Sequence, residues 1–351
     1  MKLVELNTRE FNAFVKKIEC SNFLQSTEMK KRYDAKGFEN YLFGVKCGQQ
    51  IVAAALVVTT RQRLGLKIFK CPGGPIMDYD AKDSTKILRF LTKSLKQFLK
   101  SKNGLVLEIS PNIVSQPRDR KNNIIAGLNH LHIKDELKDE GYKYLGEYEQ
   151  IKWSYILPLG DKDIEEMFAD LRTDHRQRIR RAKRENVRVR ELAENELHIL
   201  KEIAAEAGQY HGFQDPDIDY YKEMRKAFGQ KIKFMVSEAY LDNEWTPLNA
   251  AMFVDYAGEI VYLYSGSVRK YTKLGGSHYM QWKMIEEALN KGYKRYNFYG
   301  VKPVEGNGVY FFKQGFRGHV EELLGTFMLP LNFKGWIYTL KQKYREFGDV
   351  H

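Results

Sequence analysis

ALNKGYKRYNFYGVKPVEGNGVYFFKQGF, residues Ala288 to Phe316, compresses a helix end, a strand and an aromatic-basic segment into a few turns of chain. Lys291-Gly292 stops a helix, Lys294 to Tyr299 alternates as a strand does, and Gly300 breaks the alternation. Glu305-Gly306-Asn307-Gly308 reads as a loop feeding a second extended run from Val309, so a hairpin is expected. That run carries Phe312 and Lys313, a flat ring beside a fixed cation. The pair suits a nucleotide end, which offers a base to stack and a charge to hold. A half-buried strand with one solvated lysine accounts for the same residues.

Working outward, the strand to Tyr299 closes a series: strands at Phe234–Tyr240, Leu248–Tyr256 and Glu259–Ser267, a glycine-containing loop, and a helix over Ser277–Leu289. The first half has the same order. Leu42–Val45, Ile51–Thr59 and Leu66–Lys70 read as strands, Cys71-Pro72-Gly73-Gly74-Pro75 breaks the chain, and Ile87, Leu88, Leu91, Leu95, Phe98 and Leu99 line one helical face before a buried strand, Leu105–Ser110. Ahead of these lie a helix opened by Thr8 and ending near Cys20, and a basic helix opened by Gln25. A duplicated meander, helix and strand is the arrangement of an α/β (α+β) chain with two tandem acetyltransferase-like (GNAT-like) domains, whose mixed, mostly antiparallel sheets are flanked by helices. The boundary falls near Tyr148 to Leu157. Val320 to Leu329 and a helix with Trp336, Ile337, Leu340 and Tyr344 on one face are expected to fold back on the first domain, giving 1–152 plus 322–351 and 153–321.

A chain of 351 residues with 43% hydrophobic composition can bury two cores, and its net charge of +12 favours a polyanionic partner: nucleic acid, anionic headgroups or a phosphorylated substrate. Cys20, Cys47 and Cys71 are odd in number and far apart, which fits a reducing cytosol. The most apolar run, Ile51 to Val58, is too short to cross a bilayer, and the N-terminus lacks the apolar centre of a signal peptide. A cytoplasmic protein is expected, with peripheral contact to the inner membrane face permitted by its charge.

The most extreme local composition is LRTDHRQRIRRAKRENVRVR, Leu171 to Arg190. Phe168, Leu171, His175, Ile179 and Ala182 predict one helix with a buried edge, and Arg172, Arg176, Arg178, Arg180, Arg181 and Arg184, then Arg188 and Arg190, fill the rest. Like charges four residues apart oppose a helix by roughly a few tenths of a kcal/mol per pair, so a compensating anion is expected. Phosphates of an RNA acceptor stem fit bidentate guanidinium; carboxylates elsewhere in the fold are the alternative. Gly275-Gly276 before a helix leaves free N–H groups where an acetyltransferase holds cofactor pyrophosphate, though two glycines there equally make a turn and cap. The histidines, among them His130, His132, His175, His198, His211 and His278, have no metal-ligand spacing, and no metal is expected.

These stretches together resemble the FemABX family of tRNA-dependent aminoacyltransferases that build peptidoglycan interpeptide bridges. The resemblance covers nearly the full length. It is carried by Phe23-Leu24-Gln25, Gly73-Gly74-Pro75-Ile76-Met77-Asp78-Tyr79, the basic helix, Tyr264-Ser265-Gly266-Ser267, Gln281-Trp282-Lys283-Met284-Ile285, Arg295 through Val301, and Phe312-Lys313-Gln314-Gly315. It implies transfer of glycine, alanine or serine from aminoacyl-tRNA, with no further cofactor, to the stem-peptide lysine amine of UDP-MurNAc-pentapeptide or lipid II. Lys313 and Phe312 would handle the tRNA 3′ end and the developing charge, with Tyr264 lining the cleft. Arg172, Arg176, Arg180, Arg181 and Arg184 would bind tRNA, and Tyr33, Lys31, Lys36, Ser110, Gly74 and Tyr220 the acceptor. Departures from the family pattern are Pro216 and Tyr33, where basic phosphate clamps are expected, and Ser110, where a carboxylate is; Lys36, Lys31 or Arg32 would have to substitute. Only LDNEWTP, after Tyr240, stands where many relatives carry a coiled-coil arm. Rival readings are an acyl-CoA-dependent N-acyltransferase, tRNA-dependent transfer to a non-cell-wall peptide, and a basic RNA-binding module.

Overall fold

The computed structural model describes residues 1–63, 65–125, 129–148, 150–211 and 215–348. Contacts divide the chain into two units: Met1–Pro117 with Ile124–Lys152 and Glu321–His351, and Trp153–Val320 with Arg118–Asn123. The first runs β1 (Lys2–Glu5), α1 (Thr8–Val15), α2 (Thr27–Ala35), β2 (Asn40–Cys47), β3 (Gln50–Arg63), β4 (Leu66–Gly73), β5 (Ile76–Met77), α3 (Ser84–Ser101), β6 (Gly104–Pro111), β7 (Val114–Pro117), α4 (Leu131–Asp139) and β8 (Lys143–Gly146). The second follows with β9 (Trp153–Pro158), α5 (Ile164–Asp170), α6 (Thr173–Arg184), β10 (Arg188–Glu191), α7 (Leu197–His211), α8 (Ile218–Phe228), β11 (Ile232–Leu241), β12 (Glu244–Tyr256), β13 (Glu259–Ser267), α9 (Gly276–Asn290), β14 (Arg295–Gly300) and α10 (Gly308–Gln314). β15 (His319–Leu323) carries the chain back to the first unit, where β16 (Thr326–Pro330) and α11 (Phe333–Gly348) complete it.

The duplication is visible in the pairing. One sheet has the order β1-β2-β3-β4-β6-β16-β8, the other β10-β11-β12-β13-β14-β9-β15. Each has antiparallel hairpins ending in a parallel pair, β4 with β6 and β13 with β14. A parallel pair needs a crossover, and α3 and α9 supply it. Ile87, Leu88, Leu91, Leu95 and Leu99 of α3 bury against Phe43, Phe69 and Leu107, while Met280, Met284, Ile285 and Ala288 of α9 bury against Phe253, Tyr296 and Phe298.

Four local readings are corrected. The run from Val309 is a helix, not a strand: Asn307 caps it by accepting from Tyr310 N at 2.9 Å, and burial falls on Tyr310 and Lys313, three apart. The stripe from Phe168 to Ala182 is two helices, because Leu171 and Arg172 are extended at ψ 147° and 143°; Arg188 and Arg190 lie on β10. α1 is capped by Asn7 rather than Thr8 and ends at Val15, and the second helix begins after Ser26, with Phe23–Gln25 a separate turn. α11 packs on its own unit with the opposite face to the one expected: Gly335 and Thr339 point inward, whereas Trp336 and Ile337 are 46% and 40% exposed. Only glycine admits that approach, since a Cβ on Gly335 would stand 2.0 Å from the Leu105 carbonyl oxygen. Tyr344 and residues 212–214 lie outside the described side chains.

Gln25, fully buried, ties the first unit's turn together. Its amide donates to Leu56 O (3.2 Å) and Pro72 O (2.8 Å) and accepts from Leu56 N (2.7 Å), fixing Gly73-Gly74-Pro75 against β3. Asn22 does the same for Gly73 O at 2.8 Å. Gln25→Leu keeps the volume and strands those groups, so the urea midpoint is expected to fall by an equivalent of about 1–3 kcal/mol at unchanged slope. An unchanged midpoint would show that the amide adds nothing.

Candidate active site

Lys313 is 4% exposed, and a buried ammonium needs acceptors. β14 provides them by losing register with β9 between Asn297 and Gly300. Asn297 Oδ1 accepts from Tyr299 N at 2.7 Å and Tyr299 takes φ +59°, so the strand end curls instead of continuing the ladder. Lys313 Nζ then donates to Phe298 O at 2.8 Å, to Gly300 O, and more weakly to Tyr299 O at 3.5 Å. Burial pulls its pKa down to about 7, while the three carbonyls favour the charged form.

Helix α10 is held from behind by α6. A helix leaves its last carbonyls unpaired, and α6 serves two of those at the end of α10: His175 Nε2–H donates to Phe312 O at 2.8 Å, and Arg172 N donates to Gly315 O at 2.9 Å. The imidazole sits where a Cβ on Gly315 would be, 2.0–2.4 Å away, so this position admits only glycine. His278 of α9 meets the rings of His175 and Phe312 at 4.5 and 4.9 Å, completing an aromatic seat with Phe316. Burial pulls the His278 pKa down to about 2, with His175 and nearby arginines adding to the effect, so this ring is a neutral packing element. Burial also lowers His175, against the Phe312 carbonyl and Asp174, which raise it. Neither histidine stood out in the sequence beyond one place in a buried stripe.

Tyr264 on β13 lies edge-on to Tyr220 and Tyr221 at 5.7 and 6.3 Å. Tyr221 donates to Asp215 at 2.5 Å, and Lys201 of α7 reaches Asp215 at 2.7 Å and Pro216 O at 2.7 Å. A cation thus stands beside Pro216 although the sequence has none there. Tyr299 links this group to Lys313, giving its carbonyl to Nζ while its phenol is pushed up by burial and then by Tyr264. In the first unit, Ser110 Oγ accepts from Gly73 N at 3.2 Å, and a Cβ on Gly74 would strike Gln25. Tyr33 is buried, its phenol raised to about 12 by desolvation, while Lys31 and Lys36 are exposed on or beside α2.

The arginines differ in their partners, and Arg181 on α6 stands 3.7 Å from Glu185. Arg188 and Arg190 are balanced by carboxylates, pairing Glu238 at 2.7 and 2.8 Å, with Glu196 also on Arg190 at 2.8 Å. Arg176 is spent on neutral oxygens, those of Ala169, Leu171 and Thr173, and keeps its charge. Arg172 pairs Asp174 at 2.6 Å and lies 3.9 Å over the Phe311 ring. Arg178, Arg180, Arg181 and Arg184 project from α6 exposed. Gly275 and Gly276 meet a packing demand: a Cβ on Gly275 would stand 2.4 Å from Arg178 O, and one on Gly276 would stand 2.5 Å from Ser237 Oγ.

The model of the FemAB family matches residues 6–246 and 240–343, nearly the whole chain. The chain belongs to the FemAB family. Aminoacyltransferase FemA of Staphylococcus epidermidis is 25% identical over 410 aligned positions, covering 95% of this chain and 96% of the relative; its Staphylococcus aureus counterpart is 24% identical over 407. The crystal structure of FemX superposes with a TM-score of 0.80 at 18% identity, covering 97% of this chain and all of that one. A tandem GNAT protein from the clavulanic acid biosynthesis pathway gives 0.59 at 9% identity, covering 94% and 98%. This FemAB chain is an acyltransferase on a tandem GNAT-like fold. Where an arm was sought after Tyr240, Asp242 and Asn243 form a tight hairpin turn at φ +50° and +69°.

The buried amine makes a prediction that needs no substrate. Its folded pKa, about 7, lies below the free value of 10.5, so the unfolded chain holds the extra proton between them and stability rises with pH across that window. The Tm advantage of wild type over Lys313→Met is therefore expected to grow from about pH 7 to about pH 10. A pH-independent difference would show that the three carbonyls keep the buried amine charged across that window.

Proposed function

We propose that the protein transfers glycine, alanine or serine from aminoacyl-tRNA to the stem-peptide lysine amine of a peptidoglycan precursor, UDP-MurNAc-pentapeptide or lipid II, building the interpeptide bridge. The observation that carries this reading is the buried Lys313 ammonium on a helix whose end is capped by the arginine-rich α6. The acceptor nitrogen attacks the ester carbonyl carbon, and the carbonyl electron pair moves onto oxygen. Collapse of the tetrahedral intermediate breaks the bond to the ribose oxygen of the terminal adenosine, which leaves with the proton the amine gives up. A fixed positive charge favours the intermediate over the neutral ester. The contact from Nζ to Tyr299 O, at 3.5 Å, is the one a substrate oxygen would replace at least cost.

Phe312 offers the terminal base a ring already seated by His175 and His278, and Arg172, Arg176, Arg180, Arg181 and Arg184 offer the stem phosphates a basic face. The ester is itself the acyl donor, so no further cofactor is needed. Tyr264 would line the reaction site, and Tyr220, Tyr33, Lys31, Lys36, Ser110 and Gly74 the acceptor. Ser110 offers no base; desolvation of the acceptor lysine, ordinarily near 10.4, would release its proton. The reaction would run in the cytoplasm or at the inner membrane face; among the described residues no helix is long and apolar enough to cross a membrane.

Purified protein given tRNA charged with labelled glycine, alanine or serine, plus either precursor, is expected to add mass to the acceptor, and ribonuclease to abolish the gain. Lys313→Met should lower kcat by about 100- to 1,000-fold with acceptor binding retained. No gain with any pair, or full turnover by the variant, ends this reading.

A further inference from the structure

Beside the C-terminal end of α10, within the second unit, lies a cavity of about 650 Å³ that shares Arg172 and Arg176 with the basic face described above and adds Arg120, Lys121 and Arg317 to it. Arg120, Lys121, Arg172, Arg176 and Arg317 line it; Arg172 is paired with Asp174, and Asp170 is the carboxylate in the wall. That carboxylate is already shared by Arg120 at 3.1 Å and Lys162 at 2.8 Å. Arg176 is bonded to uncharged oxygens, so its charge is uncompensated. Tyr155, Thr173 and Gln314 add neutral hydrogen-bonding groups to the wall.

Arg317 is the telling residue. It sits at φ +65°, the left-handed conformation that glycine adopts freely and a long side chain does not, directly after the turn that ends α10. The next residue, Gly318, can carry no side chain, because a Cβ there would stand 2.1 Å from Ile156 O. At a place where the turn lines the cavity, the sequence has an arginine where glycine would be easier.

We propose that this cavity is a phosphate site for RNA, holding a phosphate of the acceptor end whose 3′ terminus reaches Phe312. The inference rests on the tRNA reading but not on the transfer step. Guanidinium forks suit phosphate oxygens, and Phe312 and Arg317 lie five residues apart on α10 and the turn that follows it. The 5′-terminal monoester and the diesters of the 3′ strand offer the same chemistry.

The test is binding of an uncharged acceptor-stem minihelix RNA, with and without a 5′-phosphate, across a salt series. Arg317→Gly relieves the backbone and is expected to hold or raise Tm while weakening RNA binding, and Lys121→Ala to weaken it too, each flattening the log–log salt slope by about one unit. A loss confined to 5′-phosphorylated RNA assigns the monoester; an equal loss on both RNAs assigns the diesters. Unchanged affinity and slope in both variants, with wild type binding RNA, overturns the site and leaves the tRNA reading standing. Inorganic pyrophosphate serves as the control probe: sensitivity of its binding to Arg317→Gly without any effect on RNA also overturns the proposal. No RNA binding by wild type overturns both.

Discussion

A single buried ammonium sets the terms for the second unit. Lys313 can be where it is only because the end of β14 curls, and the curl depends on Asn297 bonding the Tyr299 amide and on Tyr299 accepting a left-handed backbone. Those two local costs free three carbonyl oxygens for one charge. The helix carrying the lysine is then fixed at its far end by His175 and Arg172 of α6, so strand end, lysine helix and arginine helix form one hydrogen-bonded assembly.

That coupling gives the excess of arginine a structural reading as well as an electrostatic one. Two residues in the run, Arg188 and Arg190, are held by carboxylates and belong to the sheet. Others, Arg176 and Arg180 among them, are turned toward backbone oxygens or an aromatic face, which orient a guanidinium without neutralising it. The +12 of the chain is therefore presented in part by side chains whose directions are already set.

The strand and helix order was legible because long segments carry it: the α3 stripe, the apolar run from Ile51 to Val58 in β3, and the repeat of both in the second half. The helix at Gly308–Gln314 was not, since seven residues rich in aromatics fit either period, and its cap, Asn307, sits among glycines that also signal a turn. The division of α5 from α6 was hidden because both present the same edge to the core, so the stripe runs on across the break. α11 misled for the opposite reason: a small residue, Gly335, decides which face lies down, and hydrophobicity does not register it. At the site, the ring and the lysine were readable as a pair, but the groups that hold them come from three other elements, the curled end of β14, α9 and the distant α6, and no local spacing announces those.

The position of β16 has a consequence for how the chain comes into being. Residues 326–330 are inserted between β6 and β8, pairing with both, and so supply an internal strand of the sheet that begins at residue 2. During synthesis the unit that begins at β1 emerges before the second yet lacks this strand until residue 330 has been made, whereas the later unit has all of β9 through β14 before then. The unit begun first is the one closed last, and a ribosome that stops short of residue 330 releases a sheet with two unpaired edges in its interior.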